Sequence, residues 1–344
     1  MGRATEVRLS AGYLTMKPSV RLVLASLGAA LLVGCRCASA PYDLVPADDG
    51  PLDARVGEYR ILTWNTWLMP FYPSKPARRA EEIAVAAQGY DIVGLQEVFL
   101  QRDKIIRRLQ ETYRVIDPDP ALKKRVLGSG LLLATKFEVE DWWAMRYEDA
   151  VGDDAFATKS ALYVRLVLLH GRLDVVVTHF QAGTTKARRA ARAKQLKSLN
   201  CFIAEHALTD VPRIIMGDLN VSAPSGYDPT HSAEYMALLA GLSFASKEPI
   251  DEFARLQPPS TKYRYADITY DYRNNTWHAP LGSVDDDVIR LDYLLNHNPD
   301  ARANVTAVRV RRFWYETTSG RHCPTSDHYA IEAVLDEAVT HRPK

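Results

Sequence analysis

The order of apolar and polar residues along the chain predicts a mixed α/β protein. Short apolar runs are typical of strands, and longer segments with an apolar residue every three or four positions are typical of helices. Strands are predicted at residues 59–64, 92–95, 130–135, 161–169, 173–177, 213–216, 291–295, 305–310 and 330–335. Helices are predicted at residues 76–87, 103–113, 186–206 and 233–240. Strands outnumber helices, and His170-Gly171 predicts a hairpin turn, which favours a two-sheet α/β sandwich over a doubly wound parallel sheet.

The rest of the chain indicates one domain with short appendages. No internal repeat or low-complexity block follows residue 57, so we expect a single catalytic domain at residues 58–337, an insertion at 243–287 and a tail at 338–344. A chain of 344 residues, 47% of them hydrophobic, can bury a substantial core. With 43 basic and 42 acidic side chains, it lacks the basic excess of many nucleic-acid-binding proteins, although this balance does not exclude nucleic acid.

The first 34 residues have the pattern of an export signal. Basic residues precede a short apolar stretch at 22–33, which is too short to span a bilayer, and Met16 is the better start of such a signal. Leu32-Val33-Gly34-Cys35 resembles the lipobox of bacterial lipoproteins. That resemblance implies cleavage before Cys35, lipidation of Cys35 and a lipid anchor in a bacterial membrane, and Arg36 favours the outer membrane. The alternative is ordinary cleavage after residue 40 into the periplasm or medium, which the following Pro41 disfavours.

Residues 35–57 are rich in proline, aspartate and glycine, and they read as a flexible tether. If Cys35 carries lipid, three cysteines remain, and none of their spacings suits a zinc site. Pairing of Cys201 with Cys323 is open, because the sequence does not show whether they are close.

Polar side chains follow several of the predicted strands. Asp218 and Asn220 are two residues apart, so in an extended chain they point the same way. An Asx-type turn is the simplest explanation for this pair alone. The same transition from apolar to polar recurs at Asn65, Glu97, His179, Asp292 and Asp327-His328. Carboxylates that converge on one edge of a sandwich repel one another unless a cation or proton intervenes, and oxygen ligands suit magnesium.

The ordered motifs resemble those of the endonuclease/exonuclease/phosphatase superfamily. They are Trp64-Asn65, Leu95-Gln96-Glu97, Thr178-His179-Phe180, Gly217-Asp218-Leu219-Asn220, Leu291-Asp292-Tyr293 and Ser326-Asp327-His328. The resemblance covers about residues 58–337 and implies a four-layer α/β/β/α sandwich of two mostly antiparallel sheets, the deoxyribonuclease-like fold. It also implies a metal-dependent phosphoesterase.

The resemblance implies a role for each residue of the set. Glu97 holds Mg²⁺, with Asn65 and Asp327 supporting the metal, and Mn²⁺ or Co²⁺ are alternatives. Asn65 also orients the phosphate, Asp218 and Asn220 position the attacking water and phosphate, and His179 donates to a phosphate oxygen. His328 is the general base, and Asp292 holds its imidazolium. The alternative for both histidines is a structural role in the core.

Further stretches are similar to the bacterial neutral sphingomyelinase branch. They are 63–67 with 95–99, the lysine loop 154–160, 178–183 with Gln195-Leu196, and 269–271 with Asn274-Asn275. The family has glycine at the position of Ser160. The resemblance implies Lys159 as a substrate-binding residue, sphingomyelin in a membrane as substrate, and ceramide and phosphocholine as products. We expect a monomer.

Two other functions are weighed against this one. A secreted metal-dependent nuclease would need a basic surface, but the basic residues of the helix predicted at 186–206 read as the solvated face of an amphipathic helix. A non-enzymatic binding module is disfavoured because the acid, base and metal-ligand positions of the motif set are all filled. The aromatic runs at 142–143 and 313–315 could enter a bilayer interface, but packing within the fold is the favoured interpretation.

Overall fold

The computed structural model of the protein describes residues 50–70, 75–226, 228–257, 267–273, 275, 277, 288–297, 303–318, 320 and 322–337. The predicted signal peptide, Cys35, Asn274, most of the tether and the tail lie outside the described residues. The described end of the tether contacts the domain, because Arg309 Nη2 donates to Gly50 O at 2.5 Å and Arg60 Nε donates to Leu52 O at 2.6 Å. Part of the predicted tether therefore packs against the domain, and the boundary at residue 58 stays a prediction.

The first sheet has the strand order β12-β15-β1-β2-β4-β3. Its strands are β1 (Glu58–Asn65), β2 (Ile92–Gln96), β3 (Arg114–Ile116), β4 (Leu132–Thr135), β12 (Ala303–Arg311) and β15 (Ala330–Glu337). Strands β1 and β2 are parallel, and helix α1 (Pro76–Ala87) connects them. The other pairings in this sheet are antiparallel. A proline at the first position suits α1, because its ring fixes a helical φ and the missing N–H would have had no partner there.

The second sheet has the order β10-β11-β8-β7-β6-β5, and β9 also pairs with β11. Its strands are β5 (Glu138–Arg146), β6 (Ser160–Val167), β7 (Arg172–His179), β8 (Arg213–Ala223), β9 (Ile250–Asp251), β10 (Tyr270–Asp271) and β11 (Val288–His297). Strands β7 and β8 are parallel, and helix α3 (Lys186–His206) connects them. The Thr185 hydroxyl accepts a hydrogen bond from Arg188 N and so caps the start of α3. The predicted hairpin between β6 and β7 is confirmed, since Leu168 N donates to Gly171 O at 2.8 Å.

The two sheets pack face to face, and helices cover both outer faces. Buried side chains such as Ile61 of β1 and Val177 of β7 share the core between the sheets. Helices α1 and α2 (Arg102–Leu109) close the outer face of the first sheet. Helices α3 and α4 (Ala233–Gly241) close that of the second. Helix α5 (Glu252–Leu256) packs against β12, and β13 (Trp314–Glu316) pairs with β14 (His322–Pro324). The predicted four-layer α/β/β/α sandwich is confirmed.

The strands differ from the sequence prediction in two ways: β8 is longer than predicted, and β3, β5, β9, β10, β13 and β14 were not predicted. The apolar run predicted β8 to end at residue 216, but β8 continues to Ala223, so Asp218 and Asn220 lie inside the strand. Its pairing with β11 shifts register between Arg290 and Asp292. Strand β5 was not predicted, because as an edge strand it buries little of either face and its sequence shows no regular alternation of apolar and polar residues. Trp143 packs within the fold as expected, stacked on His206 at 4.4 Å between ring centroids, whereas Trp142 is exposed.

The structure also bears on the cysteines and on possible membrane-spanning helices. Cys201 is free and exposed, while Cys323 is disulfide-bonded, so the pairing of these two residues that the sequence left open is not formed. No helix in the described part of the chain combines the length and the apolar character needed to cross a membrane.

Candidate active site

The predicted site residues meet at one end of the sandwich. In each sheet a parallel strand pair places polar residues on the same edge. Strands β1 and β2 end beside each other at Asn65 and Gln96, and β7 ends at His179, opposite Asp218 within β8. Strand β11 then places Asp292 opposite Asp218. The polar residues that follow the apolar runs in the sequence therefore lie together at one edge of the sandwich.

His328 and Asp292 form a buried hydrogen-bonded pair. Nδ1 of His328 lies 2.8 Å from Asp292 Oδ2, and its Nε2 lies 3.8 Å from Asp218 Oδ2. Burial lowers the pKa of His328, but the carboxylates of Asp292 and Asp218 outweigh it and hold the pKa well above the ordinary value of 6.5. The ring is thus oriented by one carboxylate, with its second nitrogen directed toward the rest of the site.

Short contacts to the loop before β11 hold this pair in place. Thr269 Oγ1 accepts hydrogen bonds from Leu291 N at 3.0 Å and Asp292 N at 3.3 Å. The ring of Tyr270 lies 5.1 Å from that of His328. The stretch 269–271, for which the sequence alone indicates no role, therefore positions the His328–Asp292 pair.

Asp218 is at the centre of the polar cluster. Its Oδ2 accepts from Asn65 Nδ2 at 3.0 Å, and its Oδ1 accepts from the backbone N of Asn220 at 2.9 Å. The Asx-type contact that the sequence offered as an alternative is therefore present within the site. Asn220 Nδ2 donates to Phe180 O at 3.2 Å. Burial raises the pKa of Asp218 to about 6.

A glycine makes the geometry of β8 possible. Gly217 has a φ of 139°, and a Cβ atom there would lie 2.0 Å from Thr178 O. A side chain at this position would force β8 away from β7, so the glycine allows the close approach that places Asp218 beside His179.

His179 lies between a cation and two carboxylates. Its Nε2 is 2.7 Å from Lys159 Nζ, 3.5 Å from Asp218 Oδ2 and 3.8 Å from Glu97 Oε1. Burial, then the charge of Lys159, then that of His328 hold the pKa of His179 well below 6.5. His179 is therefore a neutral ring at neutral pH, unlike His328.

Lys159 is itself almost fully buried. Nζ also donates to Phe180 O at 2.9 Å and lies 3.3 Å from Asp154 Oδ1. Ser160, which stands where the resembled family has glycine, begins β6 without a positive φ, so a side chain is accommodated there.

Glu97 and Asp327 have the properties of cation ligands. Among the described residues Glu97 Oε2 is buried and has no hydrogen-bond partner, which is costly for a carboxylate that keeps its charge. Burial raises the pKa of Glu97 to about 7 and that of Asp327 to about 7, and the charge of Glu97 contributes to the rise at Asp327. A divalent cation between them would relieve both costs, so the residues present fit a magnesium-type site.

Two sets of residues could hold such a cation: the predicted set of Glu97, Asn65 and Asp327, and a second cluster around Asp218. Ligand atoms of Asp218, Asp292 and His328 all lie within 4.8 Å of one another, a spacing that could hold a metal ion. Asp292 and His328, however, are hydrogen-bonded to each other. In the predicted set Asn65 already accepts from Trp67 N at 3.1 Å through Oδ1, so Asn65 fits a supporting role better than a direct ligand role. The assignment to Glu97 and Asp327 stays a prediction.

Arg79 of α1 is a positioning residue that the sequence analysis did not identify. It is fully buried and donates to Thr66 O at 2.5 Å, Trp67 O at 3.0 Å and Thr325 O at 2.5 Å. It thereby joins the loop after Asn65 to the segment before Asp327. Burial lowers its pKa to about 10, while the charge of Asp327 opposes that change.

A signal for Arg79 was present in the sequence. It shares the buried stripe of α1 with Ala80, Ile83, Ala84 and Ala87, and a charged residue on such a stripe requires internal partners.

Two buried residues of α3 perform a similar task after His179. Arg192 donates to Gln181 O at 2.9 Å and to Gly183 O at 2.5 Å, and Gln195 Oε1 accepts from Gln181 N at 2.8 Å. The interpretation of the helix's basic residues as one solvated face is thus wrong for Arg192, which is buried and paired with Glu234.

The comparisons with known proteins agree with this fold. The profile described as "Endonuclease/Exonuclease/phosphatase family" matches residues 62–328, and the chain belongs to that family. A Drosophila melanogaster protein named "Putative neutral sphingomyelinase" is 24% identical over 289 residues, which cover 81% of this chain and 60% of that protein's length.

Solved structures share the fold. Sphingomyelinase C from Streptomyces griseocarneus has a TM-score of 0.62 and 24% identity, covering 80% of this chain and 99% of that one. D. rerio TDP2, solved with a single-strand DNA product, has a TM-score of 0.59 and 16% identity, covering 81% of this chain and 98% of that one. Membership of the family identifies the chain as a hydrolase of phosphoesters, and the solved structures that share its fold include a sphingomyelinase and a protein bound to a single-strand DNA product.

Proposed function

We propose that the protein is a magnesium-dependent phosphodiesterase that hydrolyses sphingomyelin to ceramide and phosphocholine. The observation that supports hydrolysis best is the orientation of His328, which Asp292 holds through Nδ1 while Nε2 faces Asp218. The preference for sphingomyelin over other phosphodiesters rests on the names of the similar proteins and on the sequence resemblance.

Each residue then has a chemical task. His328 Nε2 accepts a proton from a water molecule, whose oxygen attacks the phosphorus, and Asp292 stabilises the imidazolium that forms. Asp218 orients that water, while Asn65 and Asn220 orient Asp218. The bond from phosphorus to the ceramide oxygen breaks, and the proton taken from water ends on that oxygen.

A second group of residues stabilises the negative charge that develops on the phosphate. His179 is neutral and accepts from the Lys159 ammonium through Nε2, so its proton is on Nδ1, which has no hydrogen-bond partner among the described residues and would donate to a phosphate oxygen, while the ammonium adds positive charge. Glu97 and Asp327 would hold the cation, which when bound supplies further positive charge to the phosphate as its negative charge develops.

One assay separates the two substrate classes that the family contains. Purified protein with magnesium is offered sphingomyelin vesicles and plasmid DNA in parallel, with EDTA-treated samples as controls. Release of phosphocholine with intact DNA supports the proposal. Nicking of DNA without release of phosphocholine would make it a nuclease. Activity that survives EDTA would contradict the role of the metal.

Two observations weaken the nuclease alternative. The basic residues of α3 are partly committed within the protein, since Arg192 pairs with Glu234 at 2.7 Å and Lys194 pairs with Asp149 at 3.0 Å. These pairs leave less positive charge for a nucleic acid backbone than the sequence suggests.

We also propose that the protein is exported and lipid-anchored through Cys35, in the outer membrane of a Gram-negative cell. The support is the sequence Leu32-Val33-Gly34-Cys35 after a short apolar run. An anchor with two or more acyl chains would hold the enzyme stably on a membrane.

A further inference from the structure

Two exposed apolar side chains lie on adjoining loops that lead into the active site. Val126 is 78% exposed and Phe156 is 48% exposed, and these two residues are called the apolar tip here. Their loops are joined because Leu127 N donates to Phe156 O at 2.8 Å and Thr158 N donates to Gly128 O at 3.0 Å. Exposed apolar residues are common singly, but a pair held together at the edge of a site calls for an explanation.

The apolar tip is built on a fixed support. Arg125 donates to Ala155 O at 3.1 Å and to Glu148 O at 2.9 Å, which ties the first loop to the second. Asp119 Oδ1 accepts from Ser129 N at 2.6 Å, and a Cβ atom at Gly128 would lie 1.8 Å from Asp119 Oδ2. Exposure of the tip therefore comes from a well-packed arrangement and needs no rearrangement before binding.

Both loops lead directly into the site. Phe156 precedes Lys159 by three residues, and the ammonium of Lys159 lies 2.7 Å from His179. Val126 precedes Gly130 by four residues, and a Cβ atom at Gly130 would lie 3.1 Å from the Cα atom of Glu97. A surface that received the apolar tip would therefore lie against the entrance of the site.

The charges beside the apolar tip suit a lipid headgroup region. Lys123 and Lys124 are exposed and directly precede Arg125 and Val126. The Lys124 side chain is 54% exposed, with Nζ 3.7 Å from Asp119 Oδ2. Apolar side chains next to lysines are the pattern by which proteins enter a membrane interface, where the apolar part reaches the acyl boundary and the lysines meet anionic headgroups.

We infer that the apolar tip and Lys123-Lys124 form a membrane-docking surface that places the active site on a lipid bilayer containing anionic lipid. This inference rests on the proposed function for its biological sense, because a phosphodiesterase acting on lipids must reach headgroups at a bilayer. The membrane contact would be made by the loops of Val126 and Phe156, and of the proposed site residues these loops contain only Lys159.

Binding to vesicles tests the inference without catalysis. The full chain carries Cys35→Ala throughout, so that acylation cannot contribute, and sedimentation with phosphatidylcholine/phosphatidylserine vesicles is measured in EDTA without sphingomyelin. The test variants are the double variant Val126→Ser/Phe156→Ser and the single variant Val126→Glu, which changes only the more exposed of the two positions. The matched control is Leu169→Ser, because Leu169 is 72% exposed but follows the far end of β6 from Lys159.

We expect the apolar-tip variants to lower the partition coefficient about tenfold or more, and Leu169→Ser to leave it unchanged. Lys123→Gln/Lys124→Gln should lower it about fivefold per lysine on anionic vesicles and little on pure phosphatidylcholine. Equal binding of the apolar-tip variants and the parent, or an equal loss in Leu169→Ser, would overturn the inference.

A soluble substrate separates docking from chemistry. With magnesium, the apolar-tip variants should hydrolyse bis(4-nitrophenyl) phosphate at the parent rate but release less phosphocholine from sphingomyelin vesicles. Loss of turnover on the soluble ester as well would overturn the inference in favour of a role inside the site. Failure of the parent itself to cleave sphingomyelin would refute the proposed function, while the vesicle-binding result would still decide the docking surface.

Discussion

The ammonium group of Lys159 lies 2.7 Å from Nε2 of His179, and this contact adds to the effect of burial in keeping the histidine neutral. A buried histidine 3.5 Å from Asp218 and 3.8 Å from Glu97 could otherwise gain a proton from the pull of two carboxylates. Burial and the Lys159 charge together hold the pKa of His179 low. The pKa values of the two histidines therefore differ because of their neighbours: His328 is the stronger proton acceptor once its ring is deprotonated, and His179 stays neutral.

The main effect of replacing Lys159 should be on the pKa of His179. We expect Lys159→Met to raise the pKa of His179, since the second cause of its low pKa is removed, and to lower turnover on the order of 10²-fold. Histidine resonances followed by NMR across a pH titration would measure the pKa. Lys194→Met is the matched control, because that lysine is 68% exposed and pairs with Asp149 on the surface. An unchanged His179 pKa in Lys159→Met would show that the contact does not set its charge.

Removal of Arg79 should loosen two segments of the site at once. Arg79→Met leaves the carbonyl groups of Thr66, Trp67 and Thr325 without their donor, and we expect a loss of about 3 kcal/mol in the free energy of unfolding. At temperatures where the variant is folded, kcat should fall more than KM rises, because the misplaced groups act in the transition state.

The neighbouring residue provides the control for Arg79. Arg78 is 57% exposed and pairs with Glu82 at 2.8 Å, so Arg78→Met should change the stability by no more than about 1 kcal/mol. Chemical denaturation and steady-state kinetics on both variants measure these effects. Similar losses in the two would mean that the carbonyl contacts of Arg79 do not position the site.

Magnesium affinity should depend on pH through Glu97 and Asp327. Burial raises the pKa of each to about 7, so in metal-free protein near neutral pH both carboxyl groups are substantially protonated. A cation binds the deprotonated groups; binding should therefore release protons and weaken as the pH falls from about 8 to about 6. Isothermal titration in two buffers with different ionisation enthalpies measures the proton count.

Glu97→Gln keeps the shape of the side chain but removes the charge, so it should abolish most of the affinity and the turnover. Glu81→Gln, at an exposed surface pair with Lys104, should change neither. Unaltered magnesium binding in Glu97→Gln would refute its role as a ligand, and the cluster of Asp218, Asp292 and His328 would be the next candidate.

The lipidation prediction concerns residues outside the described structure. Cys35→Ala should release the protein from the membrane fraction, because the lipobox-like cysteine is the proposed site of acylation. Fractionation of cells expressing the parent and the variant, with Cys201→Ala as a control that keeps Cys35, measures the effect. Full retention of Cys35→Ala in the membrane would contradict the anchor.

The sequence could predict the site because the fold places strand ends together. Asn65, His179 and Asp218 each follow an apolar run, and the parallel pairs β1–β2 and β7–β8 bring those ends to one edge. Strand β5 and the role of Arg79 could not be predicted, because both depend on packing between residues distant in sequence. Strand β5 has too few buried positions to show a pattern, and the partners of Arg79 are backbone carbonyls distant in sequence.

The hydrogen bond between His328 and Asp292 predicts how activity depends on pH. The base works only when its ring is deprotonated, so turnover should rise with pH through the pKa of His328. Asp292 and Asp218 hold that pKa well above 6.5 against the effect of burial. Asp292→Asn removes the first of these charges, the pKa falls, and the acidic limb of the kcat–pH profile should move to lower pH. The rate plateau should also fall, because the imidazolium loses its stabilising carboxylate.

His328→Ala should lose about 10²–10⁴-fold in turnover, the usual size of a general-base contribution, with little change in substrate binding. His179→Ala should also be slow but should keep the acidic limb, since its ring is already neutral and its proposed task is to donate to phosphate. Profiles of kcat and kcat/KM against pH for these variants and the parent measure both effects. If His328→Ala kept near-normal turnover with the same acidic limb, then the base would be another group, and the roles of both histidines would have to be assigned again.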